Sequence, residues 1–89
     1  MEVKFEIQPR EHISRYLFGS VVYSDTPSDI DVAIIYDKRY VSVKDAIEYR
    51  HALEEDMARL NSKKIDTILL SSEEETEVAF LANAKYIAF

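Results

Sequence analysis

From Val43 to Leu60 apolar side chains recur at spacings of three and four, at Ala46, Tyr49, Leu53, Met57 and Leu60, with Lys44, Asp45, Glu48, Glu55 and Arg59 on the opposite face. That period places the apolar set on one stripe and predicts an amphipathic helix. Elsewhere the period falls to two or disappears. Val3, Phe5 and Ile7 alternate with Glu2, Lys4 and Glu6, which predicts a first strand with one buried face, ended by Pro9. RYLF at 15–18 is a short apolar run that stops at Gly19, and IDVAIIY at 30–36 is too apolar for a strand with a solvated face. After Asn61, Lys63 and Lys64, the run IDTILL at 65–70 returns to strand. Ser71 with Glu74, or Ser72 with Glu75, has the spacing of a capping box and predicts a last helix through Val78, Leu81 and Ala82, with YIAF as a closing extended segment. The order strand, strand, strand, helix, strand, helix predicts an α/β fold, a small mixed sheet flanked by helices. No repeat, low-complexity tract or linker interrupts it, so residues 1–89 read as one domain.

Composition narrows the function. Apolar residues make up 47% of the 89 residues and charged residues 31%, the balance of a globular domain with one modest core, folding as a monomer or a small homo-oligomer. No apolar run approaches the ~20 residues of a membrane span. The charged, alternating MEVKFEI carries no signal-peptide core, which makes a cytoplasmic location the expectation and excludes a membrane partner. The absence of cysteine removes disulfides, thiolate metal sites and thiol nucleophiles together. Seventeen acidic residues against eleven basic give a net charge of -6, which argues against direct nucleic-acid binding over a broad surface. A polyanionic ligand needs metal ions or a local basic patch.

The candidate chemistry lies in YLFGSVVYSDTPSDIDVAIIYD, residues 16–37, which holds the single glycine of the chain, Gly19. A backbone that turns sharply or approaches a ligand closely needs a residue without a Cβ. Asp29 and Asp31 sit two apart at the start of a strand and therefore share a face. Asp66 lies inside IDTILL, where a charge has no structural reason to be. If that strand pairs beside residues 30–36, Asp29, Asp31 and Asp66 converge, and clustered carboxylates are tolerable only with cations among them. Two Mg²⁺ ions ~4 Å apart are the usual solution for phosphoryl or nucleotidyl transfer. A P-loop and a dinucleotide fold need several glycines, a serine-hydrolase elbow needs Gly-x-Ser-x-Gly, and DTPSDID has neither the glycine nor the terminal glutamate of an EF-hand loop.

Gly19-Ser20, then Asp29-Ile30-Asp31 heading an apolar strand, then Asp66 in a later strand, resemble the signature of the DNA polymerase β nucleotidyltransferase superfamily. In particular they resemble its small stand-alone minimal nucleotidyltransferases, from about Tyr16 to Phe89. The resemblance implies a nucleotidyltransferase fold and Mg²⁺-dependent transfer of a nucleoside monophosphate from an NTP, with ATP the expected donor, to a hydroxyl. It implies that Gly19 and Ser20 bind phosphate, that Asp29 and Asp31 hold metal, and that Asp66 joins the metal set and activates the acceptor. It also implies a helical HEPN-type partner protein, with the nucleotidyltransferase as antitoxin of a toxin-antitoxin pair. The chain departs from the pattern in three places. The loop VVYSDTPS is short, Val22, Tyr23 and Ser24 stand where the family often has a small residue, arginine and glycine, and EVKFEI replaces the usual long first helix.

Singly, Gly19 reads as an ordinary turn residue and Ser28-Asp29 as an Asx-type strand start. Combined with Asp31 and Asp66 they read as a site. Asp25, Asp37, Lys38 and Arg39 read as solvated turns, His12 and His51 as surface histidines without metal-ligand spacing, and Glu73 to Glu75 as the first turn of a helix. The alternative function is an inactive nucleotidyltransferase-fold module that docks a partner protein.

Overall fold

A computed structural model describes residues 2–89, and Met1, which the single-domain reading includes, lies outside the described residues. The chain runs β1 (Ile13–Phe18), α1 (Ser20–Tyr23), β2 (Asp29–Tyr36), α2 (Val43–Asn61), β3 (Lys64–Ser71), α3 (Ser72–Val78), α4 (Phe80–Asn83) and β4 (Tyr86–Ala88). The strands form one four-stranded mixed sheet in the order β3-β2-β1-β4. β1 pairs antiparallel with β2 and with β4, whereas β2 and β3 are parallel and are joined by the crossing helix α2.

The helical stripe read from the sequence is the one that packs. Ala46, Tyr49, Leu53 and Met57 are buried, and they meet Ile13, Leu17, Ile30, Val32, Ile34, Tyr36 and Ile65 from one face of the sheet. α2 starts where the Ser42 side chain accepts from Asp45 N–H, and ends where Ser62 adopts a left-handed conformation. Alternation along β2 sends Ile30, Val32 and Ile34 into this core and leaves Asp29 and Asp31 on the face away from α2.

Two elements differ from expectation. Residues 2–10 form no strand. Both sides of β1 are taken, by β2 and β4, and the backbone donors of the N-terminal segment go instead to side chains of α2. Asp56 Oδ2 accepts from Glu6 N–H at 2.8 Å and Ile7 N–H at 3.1 Å, and Asn61 Oδ1 accepts from Lys4 N–H at 2.8 Å. Val3 and Ile7 nevertheless pack on the core while Phe5 stays exposed, so the alternation of the sequence survives in part as sidedness without a ladder. The last helix is also broken. Ala79 takes φ 50°, which ends α3 and starts the short α4 in a new direction, so Val78 and Leu81 belong to different helices.

The segment 2–10 is locked down by Arg15, a buried arginine on β1. Its Nε donates to Phe89 O at 3.1 Å and its Nη1 to Ile7 O at 3.3 Å, and its guanidinium lies against both rings of the edge-to-face pair Phe5 and Phe89. A planar fork that meets two carbonyl acceptors while lying against aromatic rings suits guanidinium better than ammonium. The two ends of the described chain are thereby held on the same face as α2.

Candidate active site

β2 and β3 run parallel in a register that places Asp31 opposite Asp66 and Asp29 opposite Lys64, so the three carboxylates share one face at the amino ends of the two parallel strands. The third strand reaches the same place from the other direction. Phe18, the last residue of β1, pairs with Asp31, and the chain then turns at Gly19. Acidic residues from β2 and β3 and the glycine turn from β1 thus meet at one edge of the sheet.

The glycine is required by its neighbour. Gly19 adopts φ 72° and ψ −150°, a region that side chains other than glycine rarely enter. A Cβ built there would overlap Asp31 Oδ2 and lie 3.3 Å from Asp31 Cγ. Gly19 therefore lets the Asp31 carboxylate lie directly against the backbone of the turn. Ser20 follows at the start of α1, exposed, with Ser24 N–H closing the turn on Ser20 O at 2.8 Å. This helical turn replaces the irregular loop expected after the Gly-Ser pair. The connection back to β2 is fixed by Lys63, whose Nζ donates to Pro27 O at 2.8 Å.

Electrostatics tie the acids together. Burial, then the negative charge of Asp66, then that of Asp29, raise the Asp31 pKa above its ordinary value of 3.8. Asp66 has Lys64 Nζ at 3.5 Å, an exposed and weak partner. The Asp29 and Asp31 side chains have no hydrogen bond or ion pair among the described residues. Among the described residues no group of three or more His, Cys, Asp or Glu side chains closes into metal-ligating geometry. The donor set fits a divalent cation in its chemistry: hard carboxylate oxygens, negative charge compensated only at Asp66 by the exposed Lys64, and an open face. Asp29 and Asp31 are the residues that would hold it, with Asp66 across the register.

Next to this edge, and sharing Gly19 with it, is a cleft of about 630 Å³ lined by Phe18, Gly19, Tyr23, Ala82, Asn83, Ala84 and Lys85. Its far wall comes from α4 and the segment leading into β4, brought over by the packing of Phe80 on Phe18, ring centroids 5.0 Å apart. The carboxylates themselves are not among its lining residues. Tyr23 and Lys85 were not singled out as site residues by sequence reasoning, because nothing in the local pattern signals that residues so far apart in the chain share a wall.

Other charged positions singled out in the sequence have local structural partners. Asp37 Oδ1 accepts from the N–H and Nε of Arg39, both at 3.0 Å, which lowers its pKa to about 2 and makes an ordered turn of a segment read as solvated. Glu74 completes the capping box with Ser71. His12 stacks on Tyr40 with centroids 4.0 Å apart, far along β1 from the acids. No helix among the described residues is long and apolar enough to cross a membrane.

A mixed sheet with a crossing helix on one face, and on the other a glycine turn pressed against an acidic pair in register with a third acid, defines a nucleotidyltransferase fold. The family model described as "Polymerase beta, Nucleotidyltransferase" matches residues 5–87, and the chain belongs to that family. Comparison with curated proteins gives no match. Comparison with solved structures gives none either.

Proposed function

We propose that the protein transfers a nucleoside monophosphate from ATP to a hydroxyl in a Mg²⁺-dependent reaction. The observation that carries this reading is the contact of Gly19 with the Asp31 carboxylate, in register with Asp66. Asp29 and Asp31 would hold the magnesium, which would supply the positive charge that lets a triphosphate approach an acidic protein and would make its α-phosphorus more electrophilic. The amides of the Gly19 turn and the exposed Ser20 hydroxyl donate hydrogen bonds to the phosphate oxygens. Asp66 accepts the proton of the acceptor hydroxyl as its oxygen bonds to the α-phosphorus and pyrophosphate leaves. The acceptor that the resemblance to minimal nucleotidyltransferases favours is a helical partner protein of the HEPN type, modified by this chain acting as its antitoxin.

The test is incubation of the purified chain with α-labelled ATP, Mg²⁺ and the product of a neighbouring gene, with binding and labelling measured separately. Asp31→Asn is expected to lose both nucleotide binding and transfer. Asp66→Asn is expected to retain most of the nucleotide affinity and to slow transfer by roughly 10²–10⁴, the range for loss of a general base. A wild-type chain that labels nothing with any of the four NTPs, yet binds the partner as tightly as Asp66→Asn does, would instead be a docking module with relic carboxylates.

A further inference from the structure

The cleft beside Gly19 has a composition unlike the rest of this acidic molecule. Lys85 is the only charged side chain lining it, and Tyr23, 65% exposed, presents its ring there. Lys85 Nζ lies 5.7 Å from the centroid of that ring, and among the described residues it has no carboxylate partner. Lys38 and Lys64, by contrast, are paired with Glu73 and Asp66. An ammonium resting on an exposed ring is held weakly, so it is available to an anion. The cleft volume of about 630 Å³ falls in the range of small-molecule sites. Gly19 lines the cleft and also lies against Asp31, so the cleft that holds Lys85 and Tyr23 adjoins the acidic edge.

Resting on the transfer reading above, we propose that this cleft receives the nucleoside triphosphate, with Lys85 as the cation for its polyphosphate and the Tyr23 ring as the face on which its base stacks. Lys85 thereby supplies the positive charge that the sequence lacks after its Gly-Ser pair, from the other end of the chain. Base stacking on an aromatic face is tolerant of base identity, so Tyr23 contributes affinity rather than choice among bases.

The experiment is calorimetric titration of the full chain with Mg·ATP, with inorganic tripolyphosphate plus Mg²⁺, and with adenosine. Lys85→Ala is expected to weaken Mg·ATP and tripolyphosphate by roughly tenfold or more, the scale of one hydrogen-bonded charge contact, with affinity restored in Lys85→Arg. Tyr23→Ala is expected to weaken Mg·ATP and adenosine while leaving tripolyphosphate unchanged, and Tyr23→Phe to bind all three as wild type does. Both side chains are on the surface, and circular dichroism verifies that the variants fold. If Lys85→Ala and Tyr23→Ala bind Mg·ATP normally while Asp31→Asn does not, the nucleotide lies elsewhere and the cleft proposal is overturned with the transfer reading intact. If the variants lose affinity as expected but wild type transfers nothing, the cleft proposal stands and the transfer reading falls. A wild-type chain that binds neither Mg·ATP nor tripolyphosphate overturns both.

Discussion

Gly19 and Asp31 are each explained by the other. The turn needs a left-handed residue at 19, and the space where its side chain would project is filled by a carboxylate whose own partners are absent. Gly19→Ala is therefore expected to destabilise through two separable effects, backbone strain of about 1–3 kcal/mol and displacement of Asp31. In a domain of this size the strain alone is a fall in melting temperature of roughly 4–24 °C. In the Asp31→Ala background the same substitution should cost less, because the displaced group is gone while the strain remains. Thermal melts of the four proteins in this cycle check it, and full additivity would show that the two residues are not coupled. The prominence of Gly19 was legible in the sequence because glycine occurs once. Its partner was not, since the register that brings Asp31 to Phe18 is a property of the antiparallel β1–β2 pair.

At the scale of elements, local chemistry that acts within a few residues was readable and chemistry set by neighbours was not. The helix stripe of α2 and the capping box at Ser71 depend on spacings of three and four and appear where the spacing puts them. Two buried runs separated by a helix made the pairing of β3 beside β2 a condition on which Asp66 would converge with Asp29 and Asp31, and the register that sets Asp66 opposite Asp31 is a property of the parallel pair itself. The segment 2–10 failed as a strand because alternation reports which side is buried and says nothing about whether a sheet edge is free to pair. The break at Ala79 carried no signal, because alanine is a helix former and nothing in the local pattern marks the left-handed conformation that precedes the packing of Phe80 on Phe18. The capping box offers an element-scale test. Ser71 Oγ accepts from Glu74 N–H at 3.2 Å while Glu74 Oε1 accepts from Ser71 N–H at 2.9 Å, and Ser71 is buried. Ser71→Ala should cost ~1 kcal/mol, a fall of roughly 4–8 °C in melting temperature, and Ser71→Thr should restore most of it. An unchanged melt would show that α3 is held by packing alone.

For the whole molecule, a net charge of -6 and an acidic edge with Lys64 as its one weak partner among the described residues make stability depend on protons and cations together. The folded-state pKa of Asp31 is raised, so the proton-linked stability it contributes is fully present below the unfolded value near 3.8 and is lost as pH rises through the raised folded value. At neutral pH without divalent ions its charge therefore opposes folding. Asp31→Asn is expected to melt above wild type at pH 7 in chelator, with the difference vanishing below about pH 4. Mg²⁺ should raise the wild-type melt by several degrees at tenfold excess over its dissociation constant and raise the variant less, narrowing or reversing the order. A variant that melts below wild type in chelator would show that the acidic edge is not under repulsion. The walls of the cleft are also separated in the chain: Phe18 and Gly19 belong to its first strand and turn, whereas Ala82 to Lys85 lead into β4, which closes on β1 by pairing Tyr86 with Phe18. During vectorial synthesis Asp29, Asp31 and Asp66 all leave the ribosome before Lys85 does, so a nascent chain carries its acids for a time without the wall that would set a substrate against them. Premature termination anywhere in α3 would leave that condition permanent, an acidic edge with no cradle.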